Sequence, residues 1–124
     1  MENERRRYIR FPVSLKVEAY EENNIKSTGV IQDFSRDGLG AVFDNCDLDV
    51  SSYITIGIQR PGKKDIFHTA VKVMWKRQVD DKCTIGAKLH NFSSHIKSEI
   101  LEHGYNYWIE ITKLLPLKGG RFVR

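Results

Sequence analysis

Four arginines, Arg5, Arg6, Arg7 and Arg10, fall within six residues just ahead of a run that alternates apolar and polar side chains. Each guanidinium presents a planar fork of donors that fits phosphate oxygens or the O6/N7 edge of a guanine. Taken alone, the segment reads equally as a solvated basic arm. A second group, Asp33-Phe34-Ser35-Arg36-Asp37-Gly38, carries complementary chemistry. In extended backbone, Asp33 and Ser35 project from one face while Phe34 enters the core. A carboxylate beside a hydroxyl can accept hydrogen bonds from the N1–H and N2–H₂ donors of guanine. Gly38 would let a ligand or its phosphate approach the backbone closely. By itself the group is an ordinary hairpin turn. Together, the two clusters are the two halves of a site for an anionic purine nucleotide.

The elements that must position these residues are mostly strands. Val13, Leu15 and Val17 alternate with Ser14, Lys16 and Glu18, the period-two pattern of a half-buried strand, with Pro12 just before it. Further strands are expected from Ser27 to Phe34, Leu39 to Phe43, Tyr53 to Ile58, Phe67 to Trp75 and Thr84 to Leu89. The separating turns are EENN, SRDG, RPGKKD and QVDDK, with DNCDLD as a loop. The SRDG turn is expected to use a positive φ at Gly38. Past Ser93 or Ser94, either of which can cap a helix, Ile96, Ile100, Trp108, Ile111 and Leu115 recur at helical spacings. An amphipathic helix over about 94–114 follows, with Gly104 marking a bend or a close contact and Pro116 stopping it. Most of Tyr105, Tyr107 and Trp108 are expected to pack on the strands. The fold class is mainly β, a small antiparallel barrel or sandwich with a C-terminal helix.

Composition narrows the function classes. The chain has 124 residues with 20 Lys+Arg, 16 Asp+Glu and a net charge of +4, enough for one domain. Residues 1–16 hold five basic and two acidic side chains, residues 113–124 four basic and none acidic, and the span between is net negative. Excess positive charge at the two ends argues against a general DNA- or RNA-binding face. No apolar run approaches the ~18 residues of a membrane span, and the N-terminal residues lack a signal-peptide core, so membrane insertion is not expected and a cytoplasmic location is. Cys46 and Cys83 fit no metal-ligand spacing and are expected to be reduced thiols rather than a bridge. His68, His90, His95 and His103 belong to no catalytic or metal motif, and no enzyme, cofactor or metal is expected.

Arg6-x-x-x-Arg10 followed by Asp33-x-Ser35-x-x-Gly38 resembles the RxxxR and [D/N]xSxxG motif pair of PilZ domains, bacterial receptors for the second messenger cyclic di-GMP. The likeness extends over ERRRYIRFPV, DFSRDGLG, a strand ending VMW, IGAKL and the terminal helix. It implies a six-stranded antiparallel β-barrel with a C-terminal α-helix and cyclic di-GMP as ligand. It implies that Arg6 and Arg10 grip a guanine edge and phosphates, and that Asp33 bonds a guanine. Ser35 would bond ligand or fix the loop, and Gly38 would permit close approach. Arg5, Arg7 and Arg36 become supporting contacts, and Trp75 a wall of the base pocket or, on a plainer reading, a strand-end core aromatic. Ile9 stands where many members have Pro. Residues 1–12 are then a basic arm that orders on binding, 13–115 the barrel with its helix, and 116–124 a basic tail. The ordered arm would signal to a downstream partner protein. The alternative is a small barrel that binds single-stranded nucleic acid through its arm.

Overall fold

A computed structural model describes residues 9–114. Arg5, Arg6, Arg7, most of the 1–12 arm, the 116–124 tail, Leu115 and the Pro116 stop lie outside the described residues. Strands β1 (Phe11–Glu21), β2 (Asn24–Phe34), β3 (Gly38–Phe43), β4 (Tyr53–Gln59), β5 (Ile66–Val79) and β6 (Lys82–His90) are followed by the helix α1 (Ser94–Leu114). All strand pairs are antiparallel and close into a barrel in the order β1-β2-β3-β6-β5-β4. The expected mainly-β barrel with a C-terminal helix is therefore what forms. Closure leaves no free sheet edge in the barrel, which removes the usual template for edge-to-edge association.

Local sequence explains the corners. Glu22 and Asn23 both adopt positive φ (52° and 70°), the two-residue hairpin turn whose twist matches its flanking strands. Pro61-Gly62 turns β4 into β5: proline presets one φ, Gly62 supplies φ 68°, and Lys63 N–H donates to the Arg60 carbonyl at 3.1 Å. The strands run longer than their patterns indicated. β5 continues past Trp75 to Val79, and the last hairpin turns only at Asp80-Asp81.

The core fills the barrel with alternate side chains, among them Val13, Leu15, Val17, Ile31, Phe34, Phe43, Ile56, Ile58, Val71, Val73 and Ile85. The helix covers the end where β1 begins. Ser93 caps it, its Oγ accepting from Ile96 N–H at 3.2 Å, and Ile96 and Ile100 are buried. Gly104 is a close contact: a Cβ there would stand 2.9 Å from the Phe11 side chain and 3.0 Å from Val13. Arg60 holds the same helix through two hydrogen bonds to Glu99, at 3.0 and 2.8 Å. Tyr107 is exposed, and Tyr105, also half exposed, sets its ring edge-on against Phe11 of β1 with centroids 6.1 Å apart.

The opposite end is closed by the crossover from β3 to β4, which carries the buried Leu48. Here the expectation of two free thiols is overturned, because Cys46 and Cys83 form a disulfide. Cys83 lies opposite Phe43 in the β3–β6 ladder, and the crossover returns Cys46 beside it. The two stand 37 positions apart in sequence, and the β3–β6 pairing makes them neighbours.

Candidate functional site

β1 begins and β2 ends at the same place, with Phe11 opposite Phe34 and Pro12 opposite Asp33. That register sets Arg10, the residue just ahead of β1, beside Asp33, and the Arg10 Nη1 donates to Asp33 Oδ1 at 2.5 Å. Both side chains are only partly covered, 25% and 36% exposed, so water screens the pair and it contributes little to stability. The two groups that could meet a nucleotide are satisfied by each other at small gain.

Ser35 departs from its expected orientation. Asp33 faces outward, but Ser35 turns into the 35–38 loop and is 1% exposed. Its Oγ accepts from the amides of Gly38 at 3.2 Å and Asp37 at 3.4 Å, and it donates to Asp37 Oδ1 at 2.9 Å. The Ser35 amide also donates to the Gly38 carbonyl at 2.9 Å. The hydroxyl thus saturates the turn's own polar groups. The turn contains no positive φ, contrary to expectation. Gly38 is required by space: a Cβ would stand 2.8 Å from the Ala87 carbonyl oxygen and 3.7 Å from Arg10 Nη2.

Trp75 is neither at a strand end nor in the core. It lies within β5 on the outer face, 46% exposed, and with Arg10, Asp37, Gly38, Met74, Gly86, Ala87 and Lys88 it lines a cleft of about 240 Å³. The fold brings together Arg10, Gly38 and Trp75, with Asp33 joined through Arg10. Arg36 is exposed on the turn and does not line the cleft. Sequence reasoning missed Gly86 and Lys88. The available signal was a glycine at an outward position of an alternating strand, a mark of close approach by another group. A larger surface cleft of about 590 Å³ lined by Tyr20, Glu22, Asn23, Thr55 and His68 holds none of the motif residues. Among the described residues no group of three or more His, Cys, Asp or Glu is arranged to hold a metal. No described helix is long and apolar enough to cross a membrane.

The fold and cleft define a helix-capped, six-stranded antiparallel barrel with an arginine–carboxylate pair beside a serine-stitched turn. The PilZ domain family matches residues 4–105, and the chain belongs to that family. The PilZ domain of YcgR from Escherichia coli with c-di-GMP superimposes with a TM-score of 0.67 at 17% identity, covering 88% of this chain and 95% of that one. Intact YcgR in complex with c-di-GMP gives 0.69 at 17% identity, over 88% of this chain and 48% of its own. The Bacillus subtilis inhibitor of motility, MotI/DgrA, gives 0.69 at 16% identity, over 86% and 52%. The chain thus spans about half the length of MotI and of intact YcgR. No curated protein matches the sequence.

Proposed function

We propose that this chain is a cyclic di-GMP receptor that binds the messenger on the outer face of the barrel and passes the event to a partner protein. The observation that carries the reading is the cleft itself. Arg10, the second arginine of RxxxR, lines it and pairs with Asp33 of [D/N]xSxxG, with Gly38 as floor and Trp75 as wall. Membership of the PilZ family and the likeness to a YcgR domain solved with c-di-GMP support it.

The chemistry follows from the pairings. The Asp33 carboxylate accepts from guanine N1–H and N2–H₂, releasing Arg10 to a phosphate or to the O6/N7 edge. Because the Arg10–Asp33 pair is weak in water, the exchange costs little. Lys88, outward on β6 opposite Gly38, adds a cation for a phosphate. Arg6, with Arg5 and Arg7 beside it, supplies the remaining guanidinium groups, and Arg36 stands at the turn as a further cation. Ser35 acts by holding the loop. Binding draws the arginines of the N-terminal segment onto the barrel, and the partner reads that altered surface.

Calorimetry with cyclic di-GMP on the full chain and on Arg6→Ala/Arg10→Ala tests the reading. Micromolar or tighter binding by the parent and loss of at least about a hundredfold in the double variant are expected, as each charge-assisted contact removed weakens affinity roughly tenfold. Absence of heat at high micromolar ligand would sink it, and tight, salt-sensitive binding of a single-stranded oligonucleotide instead would mark a nucleic-acid binder.

A further inference from the structure

We propose that Gly86 is a positioning residue that seats the Trp75 indole as a wall of the cleft; the inference rests on the reading of that cleft as the cyclic di-GMP site. β5 and β6 pair in step from Ala70 opposite His90 to Val73 opposite Ala87, and then the partner of Gly86 is Trp75 rather than Met74. One extra residue has entered β5, a β-bulge. In an unbroken strand that buries Val73, Met74 would face outward and Trp75 inward. With the bulge both are exposed, at 49% and 46%. A single inserted residue thus turns the largest side chain of β5 from the core to the outer surface.

On that surface the ladder sets a row across four strands. Trp75 is opposite Gly86, Gly86 opposite Gly40, and Gly40 opposite Asp33. The two outer members fold over the two glycines between them. A Cβ at Gly86 would stand 2.2 Å from Trp75 Nε1 and 2.4 Å from Cε2, and a Cβ at Gly40 would stand 2.6 Å from Asp33 Oδ2. Neither glycine has a positive φ, so space rather than backbone conformation demands them. The atoms in the way at Gly86 belong to a side chain, so an alanine there displaces the indole while the barrel backbone stays. A tilted indole no longer offers its face beside Gly38 and Arg10 to a guanine. Stacking of a base on an aromatic ring is worth roughly tenfold or more in affinity.

The test uses the full chain in a Trp108→Phe background, leaving Trp75 as the single tryptophan. Gly86→Ala is expected to alter the Trp75 emission and its quenching by acrylamide in ligand-free protein, with the far-UV dichroism unchanged. Cyclic di-GMP affinity should fall about tenfold in Gly86→Ala, about tenfold in Trp75→Ala, and little further in the double variant, because both changes remove one stacking face. Losses that multiply to about a hundredfold would show that Gly86 acts elsewhere and overturn the inference. So would a Gly86→Ala protein with parental emission and affinity. If the parent binds no cyclic di-GMP, the receptor reading fails, while the Trp75 emission still reports on the seat.

Discussion

The two ends of the barrel are built on opposite terms. Where β3 leaves for β4, the chain is locked: Cys46 is bonded to Cys83, and Leu48 is 2% exposed within the core. Where β1 begins, the polar groups at the rim hold each other loosely, and the floor is made of glycines with side chains laid over them. The Arg10–Asp33 pair can be traded for a ligand because it is wet and weak. The disulfide and the buried leucine cannot be exchanged for anything. The same sheet therefore carries a rigid end that maintains register and an end whose contacts are replaceable. The outward glycines at that second end leave room for the Trp75 and Asp33 side chains laid over them.

The contrast can be broken at its strongest point by reducing the disulfide. Releasing a cross-link over a separation of 37 residues is expected to destabilise the chain by about 4 kcal/mol in a denaturant melt. Cyclic di-GMP affinity of the protein that remains folded should be unchanged. Leu48→Ala comes next, at about 3 kcal/mol from lost burial and the cavity left behind, again without effect on affinity. A tenfold loss of affinity in either case would mean that the two ends are coupled. Asp33→Ala should invert the pattern, with cyclic di-GMP binding weakened at least about tenfold while stability moves by less than about 1 kcal/mol.

The smallest expected effect concerns the helix latch. The Arg60 guanidinium beside Glu99, helped by Lys63, holds the Glu99 carboxyl at about 2, below its ordinary 4.5, against the opposing effect of burial. A carboxylate whose pKa is lowered by folding contributes its stability above the ordinary value and loses it as the pH falls from about 4.5 toward about 2. Melting followed across that range should show a decline that Glu99→Gln removes. An identical decline in the variant would assign it to other carboxylates.

Much of this architecture was legible from residue order. The alternation of Val13, Leu15 and Val17 set the inward face of β1, and the 94–114 spacing set the helix, because period alone decides which side chains share a face. Arg10, Asp33 and Gly38 were identifiable by type and interval. Ser35 was misplaced, because a strand-phase argument cannot see that the chain leaves the strand one residue earlier and folds the hydroxyl into the turn. Trp75 was open to two readings, a wall implied by the resemblance and a strand-end core aromatic, and its outward face depends on a bulge that leaves no mark in the alternation. The cysteines were misread outright, since their chemistry depends on a neighbour 37 residues away.

The order of residue types by itself determined the strand faces and the capped helix, since each rests on interactions between residues close in sequence, and it named the guanidinium groups and the carboxylate–hydroxyl turn that the β1–β2 register then pairs. Only the closed barrel decided that Cys46 meets Cys83, that Gly38 lies against Ala87, and that Trp75 rests on Gly86. The first two contacts join segments distant in the chain, and the third depends on the exact register of the β5–β6 hairpin. Their geometry is set by ladder register and a single inserted residue, which no local pattern encodes.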